Sequence, residues 1–424
     1  MGSIFDQIID RRNVHSVKWK VQPGELPMWV ADTDFAVLPE VQEALQRRAA
    51  HPTFGYNTVP RSYFEAYSQW WQTRHHLAPT LANPEDMVFV TGVVPAIFSI
   101  VRSVTAVGDS VIVMPPVYNV FYNSIRNNQR QVLECPLREI SGKTPKTCDT
   151  DPANKRDANK QEGSPTTWEI DFDLLEQQAA KPTTTLLILC NPQNPTGTIW
   201  TRQELARIGQ ICARHQVKVI ADEIHCDLTL PGKHYVPFRA ASPECAEISI
   251  TCWSPSKTFN LAGLNSSVMV VSNPQLRSVV ERGVNTDKVA GAGSFAIDAP
   301  IAAYQHGAKW VDELCAYIHA NKQLVTEKIN RELANSGVTT NVSDSTYLQW
   351  IDCRQLGQHL GLPPEETSQT LIDSIRQKTG LILSAGSIYG QGGAGFLRMN
   401  LGAPRVLVED GVQRLIRALR FDPS

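Results

Sequence analysis

Short, continuously apolar runs recur at positions 87–91, 110–114, 185–190, 217–221, 248–253 and 267–271, with polar or helix-like stretches between them. Runs of this length predict strands buried on both faces of a mainly parallel sheet. Between two of them, residues 202–215 place Leu205, Ile208, Ile211 and Cys212 at helical spacing, so the local unit is βαβ. The pattern predicts an α/β protein with helices on both faces of a central sheet. Beyond Tyr304 it changes to a long amphipathic stretch (310–333), a strand-like run (347–351), a helix (366–378) and another strand-like run (396–401), which predicts a smaller α+β domain. Residues 141–168 centre on Lys, Asn, Asp, Gly and Pro and read as a solvated surface insertion, with a lid over a site as the alternative.

At 424 residues the chain is long enough for one large core and a second, smaller one. Its formal net charge of -2 lacks the basic excess that attracts phosphate backbones, so nucleic acid is not an expected partner. No apolar run approaches the roughly 20 residues that cross a bilayer, and charges interrupt the N-terminus where a signal peptide has its apolar core. A soluble, cytoplasmic protein is therefore expected, with no membrane partner. The nine cysteines are scattered and odd in number, which suits reduced thiols rather than a disulfide framework.

Four loops that follow apolar runs carry the chemistry. Ser254-Pro-Ser-Lys257-Thr-Phe-Asn-Leu-Ala-Gly263 places a lysine and two hydroxyls at the carboxyl end of a strand, where open α/β sheets bind ligands. A desolvated lysine becomes a nucleophilic amine; taken alone, the motif equally allows a surface lysine in a Ser-rich turn. Ala221-Asp222-Glu-Ile-His225 sets a carboxylate where it can pair with a ligand cation. The acids, His225 and Cys226 there lack a second ligand cluster at metal spacing, so no metal is expected. In Asn191-Pro-Gln-Asn194-Pro-Thr-Gly197, two X-Pro steps fix an extended turn and aim the Asn194 amide, which can donate to a phenolate oxygen. Finally, Gly92 with the free amides of Val93 and Val94 can form an anion seat at a helix N-terminus, although many helices begin this way without a phosphate.

Taken together and in this order, the four segments resemble the fold-type I pyridoxal 5'-phosphate (PLP) enzymes, the aminotransferase class I/II superfamily, over nearly the whole chain. The resemblance implies that Lys257 is the Schiff-base lysine, Asp222 the partner of the pyridine nitrogen, Asn194 the donor to the ring O3', and Ser254 a phosphate ligand. His225 stands where many relatives have a tyrosine contacting O3'. Tyr118, in Pro115-Pro-Val-Tyr-Asn-Val120, matches the aromatic that stacks on the ring. Tyr56, in Phe54-Gly-Tyr-Asn57, matches a phosphate ligand reaching over from a second subunit, which implies a homodimer. Arg398, in Phe396-Leu-Arg-Met-Asn400, matches the arginine that grips a substrate carboxylate, a task suited to a planar fork. The resemblance further implies that 1–47 and 304–424 form the small domain around a PLP-binding domain of 48–303.

Within the superfamily, Met28-Trp-Val-Ala-Asp-Thr-Asp-Phe35, Gly92-Val-Val-Pro-Ala96, Asp222-Glu-Ile-His-Cys-Asp227 and the lysine segment are similar to the cystathionine β-lyase-like (MalY/PatB) branch, with Ala31 as a substrate contact. Asn265 replaces the phosphate-binding arginine that many transaminases carry eight residues after the lysine. Val289-Ala-Gly-Ala-Gly-Ser294 lacks the arginine that binds a distal carboxylate. The resemblance thus implies β-elimination from cystathionine or another S-substituted L-cysteine, with Lys257, Asp222 and Tyr118 as catalytic residues. Two other readings remain: an aminotransferase of aromatic or other hydrophobic amino acids, and a regulatory protein-binding module that keeps the fold.

Overall fold

In the computed structural model, residues 2–140 and 167–420 are described. Seven strands form the central sheet: β1 (Met87–Val90), β2 (Ser110–Val113), β3 (Gln131–Glu134), β4 (Thr184–Cys190), β5 (Lys218–Asp222), β6 (Ser249–Trp253) and β7 (Ser267–Val270), in the spatial order β1-β7-β6-β5-β4-β2-β3. From β6 across to β3 every pairing is parallel, whereas β7 runs antiparallel to both β1 and β6. β2, β6 and β7 are buried along their whole length, as strands covered on both faces must be. One layer packs Leu187, Leu189, Val219 and Ala221 against Leu205, Ile208 and Cys212 of the Arg202–Arg214 helix. The other packs Val111, Ile188, Ile220 and Ile250 against the Val93–Val104 and Pro274–Thr286 helices.

The C-terminal region forms a four-stranded antiparallel sheet in which Leu348–Asp352 pairs with Phe396–Asn400, beneath the long Ala308–Glu332 helix. Trp19, Leu26 and Met28 from the other end of the chain join its core, and Leu26–Pro27 lies parallel to Leu381–Ile382. The borders expected at 47/48 and 303/304 fall inside the helices Pro39–Ala50 and Asp298–His306, which pack on each other.

Two further features differ from the sequence-based expectation. β3 is an edge strand with only Val132 and Leu133 between polar ends, too short an apolar run to register as a strand. The insertion expected to run to Trp168 ends earlier: Thr167–Glu169 pairs with Arg138–Ile140, and Trp168 is buried beside Phe396 with ring centroids 6.1 Å apart. The remainder of that expected insertion, 141–166, lies outside the described residues.

Candidate active site

Strand register brings the motifs together. Cys190 lies opposite Asp222, and Asp222 lies opposite Cys252, so the carboxyl ends of β4, β5 and β6 sit side by side. The Asn191, Asp222 and Ser254 loops therefore leave the sheet at neighbouring points, the place where doubly wound sheets bind ligands. On the far side of β7, Val90 pairs with Ser267 while Val268 pairs with Trp253. Gly92, Val93 and Val94 thus flank Ser266 from one side and Ser254 from the other, and the Ser254 hydroxyl donates to the Ser266 carbonyl at 3.0 Å. A cavity of about 500 Å³ opens next to this seat, lined among others by Thr91, Pro95, Asn265 and Ser294.

Lys257 is half-buried, and its Nζ donates to the Ala31 carbonyl at 2.6 Å. Burial pushes the amine down to about 8; the nearby Arg398 acts in the same direction, and Asp32 and Asp222 oppose it. The amine is consequently a usable base and nucleophile near neutral pH. Burial likewise pushes the Asp222 carboxyl up to about 6, against the hydrogen bond from the Ile224 N–H (3.2 Å) and the charge of Lys257. A buried carboxylate so placed, with no cation in contact among the described residues, favours a cationic ligand. His225 is buried, and desolvation together with the charges of Lys257 and Arg398 holds its imidazole neutral.

Arg398 extends from the strand Phe396–Asn400 into the same space. Its Nη1 donates to Asn194 Oδ1 at 3.0 Å and its Nη2 to the Trp29 carbonyl at 2.8 Å, while its guanidinium lies 5.0 Å over the Tyr389 ring. Burial raises the Tyr118 hydroxyl, and so does the neighbouring Asp222. The structure therefore gathers Lys257, Asp222, Asn194, His225, Ser254, Tyr118, Val93, Val94, Arg398 and Ala31 around one region. Tyr56 is not joined to them: it is fully exposed on the loop beyond Ala50, where Asn57 Nδ2 donates to the Ala292 carbonyl at 3.2 Å.

Three further contributors stand outside the residues that the sequence motifs single out. Tyr347 donates from its hydroxyl to the Ala31 carbonyl at 2.9 Å, Tyr389 underlies Arg398, and Asn400 holds the segment that carries Ala31. They reach the site through tertiary packing of the C-terminal sheet, so no local pattern announces them. Among the described residues, His75, Cys226 and Asp227 bring three potential metal-ligand atoms within 4.8 Å of one another. Asp227, however, already accepts from Trp70 (3.0 Å), His75 (2.8 Å) and Thr258 (2.8 Å), which makes it a buried hydrogen-bond hub.

The donor set suits a phosphorylated pyridine aldehyde. His225 Nδ1 and Arg398 Nε are buried without a hydrogen-bond partner among the described residues. Asp222 is a buried carboxylate matched to a ring N–H, and Lys257 is an amine matched to a carbonyl. Such converging, incompletely partnered polar atoms mark a ligand site.

The aminotransferase class I and II family matches residues 28–415. The cystathionine β-lyase PatB of Bacillus subtilis is 37% identical over 98% of this chain and 99% of its own length. The protein MalY of Escherichia coli is 30% identical over 98% of each. A PLP-bound C-S lyase from Staphylococcus hominis superposes with a TM-score of 0.85 at 27% identity, covering 99% of both chains. With the strand-end cluster, these likenesses establish a fold-type I enzyme architecture. The chain belongs to the aminotransferase class I and II family, in the branch that holds PatB and MalY.

Proposed function

We propose that this protein is a PLP-dependent carbon-sulfur β-lyase that cleaves cystathionine or another S-substituted L-cysteine to a thiol, pyruvate and ammonia. The observation that carries the reading is the Lys257 amine, pushed down to about 8 and held on the Ala31 carbonyl beside Asp222 and Arg398. In this reading Lys257 would hold the cofactor, Asp222 would pair with its ring nitrogen, and Asn194 and His225 would face its ring hydroxyl. Ser254 and the N–H groups of Val93 and Val94 would take the phosphate, and Tyr118 would stack on the ring. When bound, PLP supplies an electron sink for the charge left at the substrate Cα.

The remaining work falls to the chain. Arg398 presents a fork to the substrate carboxylate, preorganised by Asn194 and Tyr389. Ala31 contacts the substrate from the opposite segment. The Lys257 amine, freed when the substrate amine takes its place on the cofactor, would then take the α-proton at Nζ. The Cβ–S bond then breaks, the thiolate leaves with the bonding pair, and water converts the released enamine to pyruvate and ammonia.

The reading includes a cytoplasmic homodimer in which the partner's Tyr56 completes the phosphate site. Its support here is a tyrosine fully exposed on a loop whose neighbour Asn57 binds Ala292, beside the cavity at Asn265. It also includes a cofactor domain of 48–303 and a smaller domain built from 1–47 and 304–424. The shared core of Trp19, Leu26 and Met28 with residues beyond 324 supports that division. Among the described residues no helix is long and apolar enough to cross a membrane. A panel of cystathionine and S-alkyl cysteines scored for pyruvate, against aromatic amino acids with a 2-oxo acid acceptor scored for the new oxo acid, tests the reaction. Product only in the second arm would replace β-elimination with transamination.

A further inference from the structure

Four consecutive carbonyls, Trp29 to Asp32, line one side of the site, and each is accounted for. The Trp29 carbonyl accepts from Arg398, and the Ala31 carbonyl accepts from both Lys257 and Tyr347. Between and around them, one side chain reaches the other two: Asn400 Nδ2 donates to the Val30 carbonyl at 2.5 Å and to the Asp32 carbonyl at 2.6 Å, the latter shared with Lys18 Nζ at 3.2 Å. The Asp32 N–H also donates to the Val30 carbonyl at 2.9 Å, closing a three-residue turn with Ala31 at its centre. Asn400 spans the ends of that turn, so the Ala31 carbonyl is left to project toward the amine.

Asn400 is itself immobilised. It is 1% exposed, its Oδ1 accepts from the Gly402 N–H at 2.8 Å, and its own N–H donates to the Met28 carbonyl at 2.8 Å. It lies two residues beyond Arg398 on the same strand, and residues two apart in a strand share a face. One strand face therefore carries both the fork for the substrate carboxylate and the clamp on the turn. Tyr347, one residue before Leu348, which pairs with Asn400, supplies the second donor to the Ala31 carbonyl. A carbonyl oxygen has two lone pairs, and here both are used.

We propose that Asn400 is a positioning residue for Lys257: by clamping the Val30 and Asp32 carbonyls it aims the Ala31 carbonyl, and that carbonyl, steadied by Tyr347, orients the lysine amine toward the substrate α-proton. The proposal rests on the reading of Lys257 as the base. It assigns no contact with substrate to Asn400.

The test uses the holoenzyme with Asn400→Leu, Tyr347→Phe, their double variant and Lys257→Ala. Misplacing a base costs rate more than binding, so Asn400→Leu is expected to lower kcat by about 10- to 100-fold with KM changed less than about threefold. The rate of α-deuterium exchange into the substrate should fall in parallel. The pH midpoint of kcat should move by about 0.5 or more, because the hydrogen bond to the Lys257 amine changes while Asp222, His225 and Arg398 remain in place. Tyr347→Phe removes one hydroxyl without a change of shape and should lower kcat several-fold. Because both act through one carbonyl, the double variant should be less than additive. The proposal is overturned if Asn400→Leu leaves kcat, exchange and the pH midpoint of kcat unchanged. It is also overturned if that variant only lowers Tm with the midpoint unmoved; if Asn400→Leu does not fold, wild-type kcat and midpoint in Tyr347→Phe overturn it. Retention of thiol release and of the visible band in Lys257→Ala would instead refute the parent reading.

Discussion

Arg398 Nη1 and Asn194 Oδ1 are 3.0 Å apart, so a strand near the C-terminus and the loop after β4 meet at one guanidinium. The bond fixes the fork from its back while Nη2 is held by the Trp29 carbonyl. Lysine offers a point charge in place of that planar fork. Arg398→Lys is therefore expected to raise KM for S-substituted cysteines by about 10- to 100-fold, matching the loss of roughly 1.5–3 kcal/mol for hydrogen bonds to a charged group. Steady-state kinetics at saturating cofactor read this directly, and an unchanged KM would remove Arg398 from the carboxylate site.

Asp222 sets stability against function. Burial raises its carboxyl to about 6 from an unfolded value of 3.8, so the folded protein holds this proton more tightly than the unfolded chain. The contribution of Asp222 to stability accordingly falls as pH rises from about 4 to about 6 and is fully adverse above that, by up to roughly 3 kcal/mol at ~1.4 kcal/mol per pH unit. Asp222→Asn should raise the Tm of cofactor-free protein at pH 8. The same substitution should slow the loaded enzyme by about 100-fold or more, because the cofactor ring loses its charge partner. A lower Tm in the cofactor-free variant would contradict the assignment of an unpaired buried carboxylate.

For Lys257 the sign is reversed. With its amine pushed down to about 8, the folded protein carries a penalty for the charged form below that pH, and the penalty is relieved as pH rises toward the unfolded value of 10.5. In cofactor-free protein, acylation of Lys257 should follow a titration centred near 8, with the exposed lysines rising only above it. Peptide mapping by mass spectrometry after pH-jump labelling resolves the two populations.

The hub at Asp227 holds the lysine segment from behind. Burial alone would raise its carboxyl, but His75, Arg74 and Thr258 outweigh burial and keep it below the usual carboxylate range. Its stabilisation is present above about pH 4 and is lost as pH falls through its lowered value. Asp227→Ala would strand the buried Trp70 and His75 donors, while Arg74 keeps Asp312 at 3.0 Å, and is expected to cost about 3–5 kcal/mol. Chemical denaturation of wild type and variant at pH 7 checks it.

The strand-end residues were legible in the sequence because each followed its own apolar run: Asn194 after β4, Asp222 ending β5, Ser254 and Lys257 after β6. A loop at a strand's carboxyl end has a fixed place in a parallel sheet, so local pattern sufficed. What stayed hidden depends on contacts between distant segments. Lys257 and the Ala31 carbonyl it touches are 226 positions apart, and Tyr347 and Asn400 act on the same turn from the C-terminal sheet. The borders expected at 47/48 and 303/304 fall within helices for a related reason. The helices that span them are continuous, and nothing in their composition marks which core they serve.

The central claim is tested most directly by the stoichiometry of products from cystathionine with no 2-oxo acid added. A β-lyase releases thiol and pyruvate in equal amounts over many turnovers, and the reaction stops in Lys257→Ala. Absence of pyruvate, with turnover appearing only when an oxo acid acceptor is supplied, would contradict it.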